Sequence, residues 1–196
     1  MTITKPSVRR KELVSVAARL FKKNSFDRTT VRLLASATGL KSGSLFHHFK
    51  DKEEILFAVI EDGLQRSLET IQQELKNNTG AEERLFAIIY GHLRTLHGQE
   101  KDAHTVSITE WKSLSKEAKK QLIKIRDEYE AHWQQVINEA VEAKLLYGDP
   151  HLIRLFILGS LNWTIQWFQP EQELSIKQLA CELYQSFTHQ PLAGSE

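Results

Sequence analysis

At 196 residues, with 41% hydrophobic content and four prolines, the chain is long enough for one domain or two small ones with a sizeable core, and it suits a mostly helical fold. No run of about eighteen apolar residues offers a membrane span, the basic N-terminus lacks the apolar stretch of a signal peptide, and a single cysteine excludes an internal disulfide, so a reducing cytoplasm is the expected location. The net charge of +1 hides an asymmetry: residues 1–52 carry twelve Lys/Arg against three Asp/Glu and residues 53–196 carry fourteen against twenty-two, so a basic head on an acidic body points at a polyanion, duplex DNA by default.

Residues 1–6 read as a loose arm, and Arg9, Arg10 and Lys11 either touch phosphates or belong to a solvated terminus. Helix 1 is predicted over Ser7 to Asn24, with Leu13, Val16, Ala17, Leu20 and Phe21 in one apolar stripe. Thr29 or Thr30 caps helix 2 after a turn at Ser25 to Arg28. Gly39 sits where a helix–turn–helix needs a residue tolerant of positive φ. Helix 3, Ser42 to Phe49, opens on small residues that let a backbone approach base edges, with Phe49 as a core wedge. Asp51 and Glu54 fit a capping box for helix 4, Lys52 to Lys76, which is long enough to link head and body.

After a turn at residues 77–80, helix 5 covers Ala81 to His97. Gly98 to His104 reads as loop, with a short helix at Val106 to Lys112 carrying Trp111. Ser115 caps a helix from Lys116 to Leu145. Gly148, Asp149 and Pro150 then end one helix and start the next, Pro150 to Phe168. That helix is apolar nearly all round and so must be buried on more than one side, the second side being another subunit. Ser175 and Gln178 form a capping box, with Leu174 and Leu179 as its staple, for a last helix to Phe187 that carries Cys181 as a small core residue; the tail from His189 is expected to be disordered. The sum is an all-α chain of about nine helices: a helix–turn–helix DNA-binding domain at 1–52, and a ligand-binding and dimerisation domain at 53–196 whose last two helices form the homodimer interface.

The run Gly39-Leu40-Lys41-Ser42-Gly43-Ser44-Leu45-Phe46-His47-His48-Phe49-Lys50-Asp51-Lys52-Glu53 resembles the signature of the TetR family of bacterial transcriptional regulators, roughly G-hydrophobic-S-x-G-[ST]-[LI]-Y-x-[HY]-F-x-[SND]-K-E. Lys41 stands where Ser is common, Ser42 where Lys or Arg is common, and Phe46 where a Tyr whose phenol bonds a phosphate is usual. The resemblance implies a dimer reading a palindromic operator. Ser42, Gly43, Ser44 and His47 then lie near bases, Thr30, Phe46, His48 and Lys52 near the backbone, and Lys41 serves either.

The resemblance also implies a small hydrophobic effector in a cavity of the body. Trp111, Tyr129, Trp133, Asn162, Trp163, Gln166 and Trp167 are the candidate lining, large apolar faces with a few amides. They serve equally as core or dimer contacts. Residues 159–170, followed by Leu174 and Ser175, are similar to an N-W-x-x-x-W-[YF]-x-P…L-S stretch of regulators of fatty-acid and steroid catabolism, which implies an acyl-CoA or fatty acid. A cationic or aromatic drug-like ligand, with Glu110 beside Trp111 as its carboxylate, is the rival. No cofactor is expected. No metal site is expected either, since His92 and His97 are five apart, off the i, i+4 spacing that aligns two ligands. No phosphate loop, G-x-S-x-G or cysteine–histidine motif marks an enzyme, leaving only a helical enzyme with a dispersed site or a DNA-binding protein without effector as other classes.

Overall fold

The computed structural model describes residues 8–99, 101–170 and 174–189. The arm at 1–6 and the tail beyond His189 lie outside the described residues. The fold is all-α: α1 (Val8–Arg28), α2 (Val31–Ala37), α3 (Ser42–Leu45), α4 (Lys52–Lys76), α5 (Ala81–His97), α6 (Lys101–Thr109), α7 (Lys116–Glu142), α8 (Pro150–Trp163) and α9 (Ile176–Thr188), with 3₁₀ turns at Trp111–Ser113 and Thr164–Gln166. Among the described residues no helix is long and apolar enough to cross a membrane. The chain forms two compact units. One holds the residues through Leu64 with Asp102–Ile123, the other Gln65–Lys101 with the residues from Lys124 on, so the divisions fall inside α4 and α7. The boundary expected at residue 52 falls inside the first of these units.

In the first unit, α1 is broken at Ser25, whose φ of 66° and ψ of 164° are not helical. The buried Thr29 hydroxyl donates to the Ser25 carbonyl at 2.8 Å and holds the break. Thr30 caps α2, accepting from Leu33 N–H at 3.2 Å, and Gly39 turns the chain with φ 67°. Phe49 is buried as expected. Asp51 accepts from Glu54 N–H at 2.8 Å, but the Glu54 carboxylate reaches back to Lys50 N–H at 2.6 Å, one residue before the cap. At residue 63 of α4 an added Cβ would lie 2.4 Å from the Ala103 carbonyl oxygen, so only glycine lets the α4 and α6 backbones meet there. Lys22 pairs with Asp102 at 2.8 Å and ties α1 to the same helix.

The second unit has its core between α4, α5, α7, α8 and α9, from Ile71, Leu85, Ile89 and Leu93 to Trp133, Ile137, Leu161 and Tyr184. Asp149 caps α8 by accepting from Leu152 N–H at 2.9 Å, with Pro150 in the first turn. The Ser175–Gln178 capping box of α9 is complete.

Besides α1, which resumes as helix to Arg28 after the Ser25 break where a turn was expected, four boundaries differ from the sequence reading, each for a local reason. α3 is helical only over Ser42–Leu45 instead of reaching Phe49. Ser and Gly are poor helix formers, and His47 and His48 N–H close i→i+3 bonds to Ser44 and Leu45. The stretch read as loop at 98–104 is mostly helix, since α6 begins at Lys101, and Trp111 lies in a 3₁₀ turn instead of a helix. The buried side of α6 is Ala103, His104, Thr105, Val106 and Ser107, too polar to register as an apolar stripe. α7 stops at Glu142, before Leu145, because Lys144 adopts a left-handed φ of 60° and Leu145 N–H bonds back to Ala140. α8 gives way to a 3₁₀ turn after Trp163, short of Phe168.

Candidate nucleic-acid interface and effector site

The recognition segment is assembled by two backbone devices, the Thr30 cap and the Gly39 turn, which fix α2 against α3. Lys41, Ser42, Gly43, Phe46 and His47 are exposed, and Ser44 and His48 half-buried, beside the buried anchors Leu45 and Phe49. A Cβ added at Gly43 meets nothing within 4 Å, so its smallness serves no contact inside the protein. Lys41 precedes α3 without a side-chain cap bond. Lys52 is differently placed: its ammonium donates to the Phe26 carbonyl at 3.0 Å and lies 4.1 Å from the Phe26 ring centroid, so it braces the end of α1. Arg9 and Arg10 also work within the unit. Arg9 donates to Thr38 O at 2.8 Å and pairs with Glu12, and Arg10 pairs with Glu54 and covers the Phe49 ring.

In the second unit the structure brings Tyr129, Trp133 and Asn162 together around His92, a residue the sequence offered only as a failed metal ligand. His92 Nδ1 is 2.5 Å from the Tyr129 oxygen and its Nε2 is 3.0 Å from Asn162 Oδ1. The amide oxygen can only accept, so Nε2 carries the proton and Nδ1 of the neutral ring accepts from the Tyr129 hydroxyl. Burial pushes the Tyr129 phenol well above its ordinary range, so it keeps the proton it donates; the neighbouring Trp133 N–H partly opposes that rise. Trp133 is fully buried, stands edge-on to His92 with ring centroids 5.8 Å apart, and its Nε1–H meets no acceptor in hydrogen-bonding geometry. The result is a one-way relay from α7 (Tyr129) through α5 (His92) to α8 (Asn162). One turn further along α5, His97 Nε2 lies 2.7 Å from Thr164 Oγ1, whose only proton goes to the Leu161 carbonyl at 2.6 Å, so His97 donates and pins the 3₁₀ turn.

The remaining candidates fall elsewhere. Trp111 and Glu110 belong to the first unit, where Glu110 accepts from the Ser113 hydroxyl at 2.8 Å. Trp163, Gln166 and Trp167 are exposed. Trp163 (66%) and Trp167 (54%) continue an outward stripe on α8 through Leu152, Leu155 and Phe156 (74%). The other side of α8 is buried through Arg154, Ile157 and Leu161. Arg154 there donates to Glu130 at 2.9 Å and to Gln134 at 3.0 Å. Burial is the largest influence on Glu130 and would raise its pKa, but the bonds and charges of Arg126 and Arg154 together hold it below the ordinary value.

An all-α chain with a helix–turn–helix head and a helical body of this kind is a DNA-binding transcription regulator. The sequence model of bacterial regulatory proteins of the tetR family matches residues 13–59, and that of the tetracyclin repressor-like C-terminal domain matches residues 78–190. The chain belongs to the TetR family: it is a helix–turn–helix transcriptional repressor and not an enzyme. It is 29% identical over 181 residues to the HTH-type transcriptional repressor KstR2 of Mycolicibacterium smegmatis, covering 91% of this chain and 88% of the relative. Among solved structures it resembles superantigen PfiT, with 40% identity, a TM-score of 0.76 and 94% and 98% of the two chains covered. It also shares its fold with AibR, solved in complex with isovaleryl coenzyme A and operator DNA, at TM-score 0.84, 22% identity and 92% and 98% coverage.

Proposed function

We propose that the chain acts as a cytoplasmic homodimer that binds a palindromic operator through residues 1–52 and is released when an acyl-type effector, an acyl-CoA or fatty acid, enters residues 53–196. The observation that carries the effector class is the direction of the relay. An unbonded N–H, the Trp133 indole, lies beside its Tyr129 end, and its other end is the Asn162 amide, whose oxygen is taken by His92 and whose N–H is left to donate, with a neutral imidazole between. Such a centre suits a ligand that brings hydrogen-bond acceptors and an apolar chain, and it contains no carboxylate to pair with a cation. The relative solved with isovaleryl coenzyme A and operator DNA supports the same class.

The dimer is assigned to α8 and α9. Leu152, Leu155, Phe156, Trp163 and Trp167 make a continuous exposed apolar face that a second copy would cover, and they replace solvent-facing roles with packing when it does. On the DNA side, Ser42, Gly43, Ser44 and His47 face bases, Thr30, Phe46 and His48 face phosphates, and Lys41 serves either. Lys52 holds the head together with one N–H and keeps others for a phosphate. Tyr129, His92 and Trp133 are closed to solvent and Asn162 is half-buried, so an effector reaches them from the Asn162 side by parting α5, α7 and α8. The displacement passes along α4, a single helix from Lys52 to Lys76, and changes the spacing of the two heads. Coupling of this type is about 1–3 kcal/mol, roughly 5- to 150-fold in operator affinity. Fluorescence anisotropy on a duplex selected from a random pool, with and without acyl-CoA, measures it. Dimeric protein that binds no duplex better than random DNA at low salt would overturn the reading.

A further inference from the structure

Of the buried polar groups in the second unit, Trp133 Nε1–H is placed unlike the rest. It is a donor only, it is fully buried, and it faces the Tyr129 oxygen without reaching hydrogen-bonding geometry. Leaving such a donor unmet costs free energy, which a ligand oxygen can recover. The Tyr129 oxygen has lone pairs free to accept, but its position is fixed by the bond to His92 Nδ1 at 2.5 Å, and His92 is held in turn by Asn162, so the oxygen makes only a weak, off-geometry contact with the indole N–H. The relay therefore holds the Tyr129 oxygen short of a full hydrogen bond with Trp133. Tyr184, whose hydroxyl also lacks a partner in hydrogen-bonding geometry, packs edge-on to Phe86 and has Glu82 and Glu83 as charged neighbours, surroundings that would repel a carbonyl oxygen.

We infer that Trp133 Nε1–H is the group that recognises the thioester carbonyl of an acyl-CoA effector, with Tyr129, His92 and Asn162 as positioning residues that hold it available. This rests on the effector class proposed above and adds the atom that reads it. The consequence is discrimination by the carbonyl itself. A thioether analogue, with CH₂ in place of C=O, has the same chain and the same coenzyme but leaves the indole N–H unmet.

The test is calorimetric titration of the intact protein with isovaleryl-, octanoyl- and palmitoyl-CoA, each beside its S-alkyl thioether. The wild-type protein is expected to bind the thioester of at least one pair about tenfold tighter than its thioether. In Trp133→Phe the ratio should collapse toward one, while Trp133→Phe and wild type keep the same helical circular-dichroism spectrum. The wild-type comparison stands even if the variant does not fold. Equal affinity for thioester and thioether in the wild type overturns the role of Trp133 and leaves the acyl-CoA reading in place. Discrimination that survives Trp133→Phe also overturns it, and failure of every pair to bind removes both.

Discussion

The recognition segment and the relay are both small polar arrangements on apolar supports, yet they are built at opposite ranges of sequence. From Thr30 to Glu54 each device is local: Thr30 caps three residues on, Gly39 turns in place, and Asp51 holds the next helix by its third residue. The relay joins His92 to Tyr129 across 37 positions and to Asn162 across 70. The first arrangement is set by near neighbours and braced to α1 by Arg9, Arg10 and Lys52, whereas the second exists only when three helices are in register. If the relay senses the effector as proposed above, a rigid reader and a globally dependent sensor are what that switch requires, because the sensor must feel displacements the reader does not.

Substitutions can break that contrast from either side. The largest effect is expected from Gly43→Glu, which adds bulk and a negative charge where no protein atom lies near. Operator affinity should fall on the order of 100-fold or more with an unchanged thermal midpoint, since both heads of the proposed dimer lose their approach. A lowered midpoint would show that Gly43 also matters to folding. Next is Gly63→Ala, whose Cβ would meet the Ala103 carbonyl at 2.4 Å. The helices must part, at a cost of about 1–3 kcal/mol in urea unfolding. Tyr129→Phe deletes the donor to His92 Nδ1 and should cost about 1–2 kcal/mol of stability while leaving low-salt affinity for random DNA unchanged. Loss of that non-specific binding would mean that reader and sensor are not separable.

The smallest effect is confined to acid. The folded pKa of Glu130 lies below its unfolded value, so the unfolded chain binds the proton more readily and stability rises with pH across that window. The Arg126–Glu130–Arg154 contribution is complete above the ordinary carboxylate pKa of about 4.5 and is lost as pH falls through the lower folded value. Denaturation between pH 3 and 6 should show a shallower acid decline in Glu130→Gln than in wild type.

Much of the fold could be read from the sequence because its signals are local. The bounds of α4 and α5 follow from apolar periodicity and the turn at residues 77–80, and the Asp149, Thr30 and Ser175 caps from residue type and spacing. Only the first half of α6 escaped, because His104 and Thr105 there are polar and hydropathy cannot separate them from a loop, so the predicted helix begins at Val106. His92 escaped for a related reason. Within α5 it is one buried position among many, and only the arrival of α7 and α8 gives it partners. A buried histidine in an otherwise apolar stripe was the available signal, one weighed only against metal spacing. Trp163 and Trp167 stood out by size, but which way a large side chain faces depends on where its helix docks, and both face outward.

The bracing of the head by its own cations bears on how the protein answers to ionic strength. Arg9, Arg10, Lys22 and Lys52 are engaged with Thr38, Glu54, Asp102 and Phe26. Counterion release registers phosphates neutralised, at about 0.9 per contact on B-DNA, and not the cations a domain contains. The logarithmic salt dependence of binding should therefore be gentler than twelve basic residues per head would suggest. The difference is a measure of how much of the positive charge was already committed to architecture before any duplex arrived.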